Sequence, residues 1–149
     1  MIEWTEFTEG LSQTLATLPV GAIVIISERV PRSENMRFAQ FCWYDTGIHA
    51  EIPGGRRLTM AGEDGPRIVA GAGWHEPRSP WDGENWWTKV PWPAPTDSYR
   101  KLASMMVTAL RDAYGIPNPD ALEYNAWDEE SENAPMELPL LGIRFHPGK

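Results

Sequence analysis

The fold is decided by three consecutive segments: NWWTKV (residues 85–90), PWPAP (91–95) and TDSYRKLASMMVTALRDAY (96–114). The first has the residue types of a β-strand, and the prolines end it because proline cannot donate to a neighbouring strand. In the third, apolar residues recur every three or four positions, which predicts an amphipathic helix covering a sheet. We expect Thr96 or Asp97 to cap this helix and Gly115 to end it.

A second amphipathic helix is predicted near the start of the chain. It ends before Pro19, because a proline disfavours helical geometry at the preceding residue. Its apolar stripe consists of Trp4, Phe7, Leu11, Leu15 and Leu18.

Strands are predicted between and after the two helices. Runs of β-branched and alternating residues, bounded by turn residues, indicate strands. The segment 56–80 is predicted to be irregular, with room for one short helical turn, because glycines and prolines interrupt it. The predicted strands are 22–26, 36–44, 48–52, 85–90 and 122–127, with a short last strand within 138–143.

These elements predict an α+β fold with an antiparallel sheet of about five strands. Their order is α-β-β-β-(irregular)-β-α-β, with two helices packed on the sheet. A chain of 149 residues has the length of a single domain, spanning 1–149. We expect 128–137 to be a mobile acidic loop, because its like charges repel one another.

Charge and composition limit the classes of partner. The net charge of -8 argues against nucleic acid or an anionic membrane as the main partner, since both attract lysine and arginine. Cys42 is the only cysteine, which suits a reducing cytoplasm. The acidic N-terminal residues do not resemble a signal peptide, and no apolar run approaches the roughly 20 residues of a membrane span.

The sequence offers no recognisable catalytic constellation. His49, His75 and His146 are scattered, and only His49 and Glu51 share a predicted strand face, whereas a zinc site usually needs three or four ligands. Cys42 lies mid-strand, where a buried thiol is the usual interpretation. We therefore predict no catalytic residues, no metal and no cofactor, and a protein that is not an enzyme.

Tryptophan is the unusual residue of this chain, with 8 copies. Large aromatic side chains dominate both cores and interfaces, so the cluster has two main interpretations. It covers a thin core, or it forms an exposed patch that binds a protein partner; an aromatic cage for a sugar or nucleotide is a third. The candidate partner-binding residues are Trp74, Trp81, Trp86, Trp87 and Trp92.

The order of elements and several short motifs resemble the type III secretion chaperones and their YbjN relatives. The closer resemblance is to the actinobacterial proteins grouped as TY-Chap domains. The motifs are LPVGA (18–22), MRFAQF (36–41), Gly73-Trp74 with Pro77, Asn85-Trp86, and ALRDAYGI (109–116). The resemblance implies a cytoplasmic, usually dimeric protein that holds a segment of a secreted protein in extended form and catalyses no reaction.

Three functions remain open at this point. The first is a chaperone-like domain that binds a segment of a partner protein. The alternative is an immunity protein that neutralises a toxin, since an acidic, tryptophan-rich domain suits a basic nuclease. The third is an enzyme that acts on a small molecule.

Trp92 separates the two main interpretations of the tryptophan cluster. If it belongs to a binding patch, Trp92→Ala weakens the complex with the partner and leaves stability nearly unchanged. Affinity purification followed by thermal unfolding of the variant measures both effects. A large drop in melting temperature would instead assign Trp92 to the core.

Overall fold

One sheet, covered on one face by helices, makes up the body of the protein. The computed structural model describes residues 2–29, 37–59, 62–77, 85–91 and 94–147. Its helices are α1 (Trp4–Leu15), α2 (Arg56–Thr59), α3 (Gly65–Ala72) and α4 (Thr96–Val107), and a π-helix, Thr108–Ala113, continues α4. Its strands are β1 (Ala22–Glu28), β2 (Phe38–Tyr44), β3 (Gly47–Ile52), β4 (Trp86–Pro91), β5 (Leu122–Asp128), β6 (Ala134–Pro135) and β7 (Arg144–Phe145).

The strand order confirms the predicted α+β class. Five longer strands run β4-β3-β2-β1-β5, each antiparallel to its neighbours, and β6 continues the sheet beyond β5. The two-residue strand β7 also pairs with β5, but in parallel. The apolar segment 138–143, predicted as a last strand, instead contains a 3-10 turn, Pro139–Leu141, and pairing begins only at Arg144.

Burial alternates along the strands, so only one face of the sheet lies in the core. In β1, Ala22, Val24 and Ile26 are buried, while Ile23 and Ile25 between them are half-buried on the other face. Helix α1 contributes three buried apolar side chains of the predicted stripe, at four-residue spacing: Phe7, Leu11 and Leu15. Burying a side chain of this size is worth roughly 1.5–3 kcal/mol.

The segment predicted to be irregular contains two helices, α2 and α3, so that prediction was wrong. Two of its helix-breaking residues lie at the ends of α3, where they are compatible with helical structure. Pro66 lies in the first turn of α3, and Gly73 ends that helix with a φ of 117°. Ile68 and Val69 then pack against or into the core.

The start of α4 also differs from the prediction. Thr96 and Asp97 lie inside its first turn, and the N-cap position belongs to Pro95, whose side chain makes no capping bond. The rigid ring of Pro95, with a φ of -70°, sets the direction of entry, and an acidic residue in the first turn suits the helix dipole. Gly115 does follow the helical region with a positive φ of 73°, as expected.

Tyr114 and Arg37 connect the end of the π-helix to the sheet. The Tyr114 hydroxyl donates to the carbonyl of Pro53 at 2.5 Å, and burial raises the pKa of this tyrosine. The Arg37 guanidinium pairs with Glu28 and donates to the Tyr114 carbonyl. The hydrogen bond to Glu28 is the largest cause that raises the pKa of Arg37.

The chain from 129 to 147, here called the strap, runs along β5 and back to α1. Its first part holds a 3-10 turn, Glu129–Ser131, and strand β6. The mobility predicted for 128–137 stays a prediction. None of the described helices is long and apolar enough to cross a membrane.

Two helical glycines provide a matched test of the contact between α1 and the strap. A Cβ at Gly10 would lie 1.9 Å from the Leu140 carbonyl oxygen, whereas a Cβ at Gly71 has nothing within 4 Å. Gly10→Ala should lower the free energy of unfolding by about 1–3 kcal/mol through overpacking. Gly71→Ala should raise it by up to about 1 kcal/mol through helix propensity. Urea unfolding of both variants measures the difference, and equal effects would contradict the close contact.

Candidate functional site

Among the described residues, the helices pack on one face of the sheet and leave the opposite face, here called the open face, uncovered. Cross-strand neighbours on this face form two rows that each span five strands. The first row is Asn125, Ile25, Gln40, Glu51 and Trp87, and the second is Trp127, Ile23, Cys42, His49 and Lys89. Apart from Cys42, these side chains are half-buried or exposed, so the rows combine apolar, aromatic and charged groups that a partner can reach.

Trp87 lies at the β4 end of the first row, which we call the β4 corner of the open face, and contacts with its neighbours fix the orientation of its ring. Its ring stacks against His49, with centroids 6.4 Å apart and planes at 10°. The ring of His75 lies 4.7 Å away from it, and the indole Nε1 donates to the Glu76 carbonyl at 3.0 Å. A fixed, half-buried indole is a ready contact surface, because little side-chain entropy is lost on binding.

Glu51 organises the polar part of the same corner. Its Oε2 lies 2.8 Å from His49 Nε2, and its Oε1 accepts a 2.9 Å hydrogen bond from Asn85 Nδ2. Both carboxylate oxygens are therefore engaged, which fixes the His49 ring against Trp87. The described residues contain no group of three or more histidine, cysteine and acidic side chains that could hold a metal ion.

A shallow cavity of about 480 Å³ lies beside this corner. Its walls include Tyr44, Ile48, His49, Lys89 and Pro91. Tyr44 is 52% exposed. The charge interaction with Cys42 is the largest cause that raises the pKa of the Tyr44 hydroxyl, and burial is the second. The cavity thus has an apolar lining with a few polar groups, which is the usual composition of a binding pocket.

The cavity adjoins the outer edge of β4. Trp87 exchanges both of its backbone hydrogen bonds with His75, at 3.0 and 2.9 Å, so these groups point away from β3. Backbone groups alternate in direction along a strand, so the N–H and C=O of Lys89 point outward as well. Within the described part of the chain, no hydrogen bond occupies these two groups.

The structure separates the five tryptophans of the predicted patch. Trp74 is 3% exposed and donates to the Met105 carbonyl at 3.0 Å, and Trp86 is 7% exposed. Both belong to the core: Trp86 lies on the covered face of β4, and Trp74 directly follows Gly73, the C-cap of α3. Trp87 lies on the open face, and Trp81 and Trp92 lie outside the described residues. A role of these five residues in partner binding stays a prediction.

Sequence reasoning did not single out Tyr44 and Lys89. Alternation along β2 and β4 places both side chains on the open face, and this signal was present in the sequence. The sequence does not show that Lys89 lies on an edge strand, because the order of strands in a sheet depends on long-range pairing.

A family model matches residues 2–128. Its description is TY-Chap3, the T3SS (YopN, CesT) and YbjN peptide-binding chaperone 3. The chain belongs to this family. The TY-Chap3 match covers α1 to β5 and confirms the resemblance read from the motifs, whereas an actinobacterial origin stays a prediction. Searches of curated proteins and of solved structures return no match.

Two tryptophans of this TY-Chap3 protein should respond differently to truncation. Trp74→Ala removes a fully packed indole and one of the two donors to the Met105 carbonyl, which keeps the Thr108 N–H, so we expect a loss of about 3–5 kcal/mol, mainly from the cavity. Trp87→Ala removes a half-buried ring and should cost less than about 2 kcal/mol. Thermal and urea unfolding test this order, and a larger loss for Trp87→Ala would mean that its ring supports the core.

Proposed function

We propose that this protein binds an extended segment of a partner protein along the outer edge of β4. The observation that carries the proposal is the outward N–H and C=O of Lys89 beside the cavity on the open face. Membership in a family of peptide-binding chaperones supports a polypeptide as the ligand.

The bridge between His75 and Trp87 indicates how such a segment would be held. It is one antiparallel step of a ladder on the outer side of β4. A partner segment that continues this ladder beyond His75 donates to the Lys89 carbonyl and accepts from the Lys89 N–H. These bonds do not depend on the side chains of the segment, which suits a protein that must hold different sequences.

The cavity supplies the selective part of this recognition. Side chains of an added strand alternate between the two faces, so every second one lies over the open face. One of them reaches the apolar walls formed by Tyr44 and Pro91. The chain's net charge of -8 favours basic residues elsewhere in the segment, because opposite charges speed association.

A single edge position provides the test. Lys89→Pro removes the N–H that the partner segment needs, while proline is tolerated on an edge strand whose N–H faces solvent. Lys89→Ala is the matched control, since it removes the charged side chain and keeps the N–H. Peptides selected from a phage-displayed library against the wild-type protein serve as probes, and their affinities are measured by fluorescence anisotropy.

We expect Lys89→Pro to weaken peptide binding about tenfold or more, because it removes one hydrogen bond to the peptide and interrupts the ladder. Lys89→Ala should change it less than about threefold, and both variants should keep a cooperative thermal transition. Hydrogen exchange gives a second reading in the wild-type protein, where bound peptide should protect the Lys89 amide. An unprotected Lys89 amide in a saturated complex would refute strand addition at this edge.

A further inference from the structure

The opposite edge of the sheet is occupied by the chain itself. The outward carbonyls of β5 accept from three strap amides: Asp128 from Asn133 at 3.0 Å, Ala126 from Met136 at 3.0 Å and Tyr124 from His146 at 2.7 Å. The strap lies outside residues 2–128, which the family model matches. Without the strap, the core elements α1 to β5 would present β5 as a second open edge.

Two leucines attach the strap to the body. Leu138 is 7% exposed and Leu141 is fully buried, whereas Leu140 between them is 54% exposed. The Leu138 N–H also donates to the Tyr124 hydroxyl at 2.7 Å. The strap thus contributes backbone donors to β5 and two apolar side chains, three positions apart, at the two ends of the 3-10 turn.

The rest of the strap is weakly attached. It pairs with β5 through β6 and through β7, and each pairing is only two residues long. Glu132 and Asn133 both adopt the left-handed conformation, with φ of 59° and 62°, which side chains other than glycine adopt only at a cost. Four glutamates, Glu129, Glu130, Glu132 and Glu137, lie in this segment, where the first lysine or arginine is Arg144. Strain and like charges both favour release of this part of the strap.

We infer that the β5 edge is a second segment-binding site, which the strap covers and a partner segment uncovers by replacing it. The segment that fits has the chemistry of the strap: it donates to the carbonyls of Tyr124 and Ala126, and it inserts two apolar residues, three positions apart, from a turn between these donors. Such a segment binds only while the strap is released. Its apparent affinity is therefore its intrinsic affinity multiplied by the fraction of time that the edge is open. This inference rests on the proposed function only in taking a polypeptide as the ligand.

Hydrogen exchange in the wild-type protein tests whether the strap opens by itself. The amides of Met136 and His146 report on the strap, and those of Val24 and Phe41 report on the two central strands. If the strap opens locally, its amides exchange at least tenfold faster than the central ones. Equal protection at all four amides would show that the strap unfolds only with the whole domain and would overturn the inference.

A fluorescent synthetic peptide of residues 134–147 serves as the ligand probe. Leu141→Ala in the protein weakens the covalent strap, so the peptide should bind this variant at least tenfold more tightly than wild type. Leu140→Ala is the matched control, because that side chain is exposed, and should stay within about twofold. The same peptide with serine in place of Leu138 and Leu141 should bind neither variant.

The variant Lys89→Pro separates the two edges. Strap-peptide binding should be unchanged in Lys89→Pro, and bound peptide should protect amides of β5 and not that of Lys89. This pattern would stand even if the β4 proposal failed. Absence of peptide binding to a folded Leu141→Ala protein, or loss of binding in Lys89→Pro, would overturn the assignment of a site to β5.

Discussion

The burial of one face of the sheet beneath α1 and α4 is the constraint on which the rest of the structure depends. Each strand from β1 to β5 places alternate side chains into the same core, so a slip of one residue in any pairing would exchange its buried and open sets. The register fixed in this way also determines the composition of the open face. The position of Trp87 beside Glu51 and His75 follows from packing on the opposite face.

The outward backbone groups at the two edges of the sheet have different partners. At β4, the His75 bridge satisfies the backbone of Trp87 and leaves that of Lys89 outward. At β5, the strap satisfies three carbonyls and places Leu138 and Leu141 in the core. The edges are roughly 19 Å apart, at about 4.8 Å per strand spacing. An open edge is an aggregation hazard unless it is used or covered. The strap covers the β5 edge, and the β4 edge is the one that we propose a partner segment uses.

The sequence was informative where a pattern is local. Alternation identified the five longer strands, and apolar spacing identified α1 and α4, because both depend on one face of one element. The helices α2 and α3 were missed because Pro66 and Gly73 were taken as breaks within the segment, although both lie at the ends of α3. The sequence alone does not show which tryptophans of the cluster are buried. Trp86 and Trp87 are neighbours that differ only in the face of β4 on which each lies, and the register decides that face. The β4 edge and the strap were beyond reach, because both arise from pairings between distant residues.

The arrangement of side chains around Glu51 supports the backbone recognition proposed at β4. An enzyme site needs several side chains aimed at one reacting atom, whereas the Glu51 carboxylate uses both oxygens to hold His49 and Asn85. Beside it lie the Lys89 backbone, the Trp87 ring and the apolar wall of the cavity. Such groups bind an extended chain of varied sequence, because the ladder recognises the backbone and the pocket adds a preference for one side chain. The arrangement at the β4 corner therefore favours a holding role, in agreement with the family to which the chain belongs.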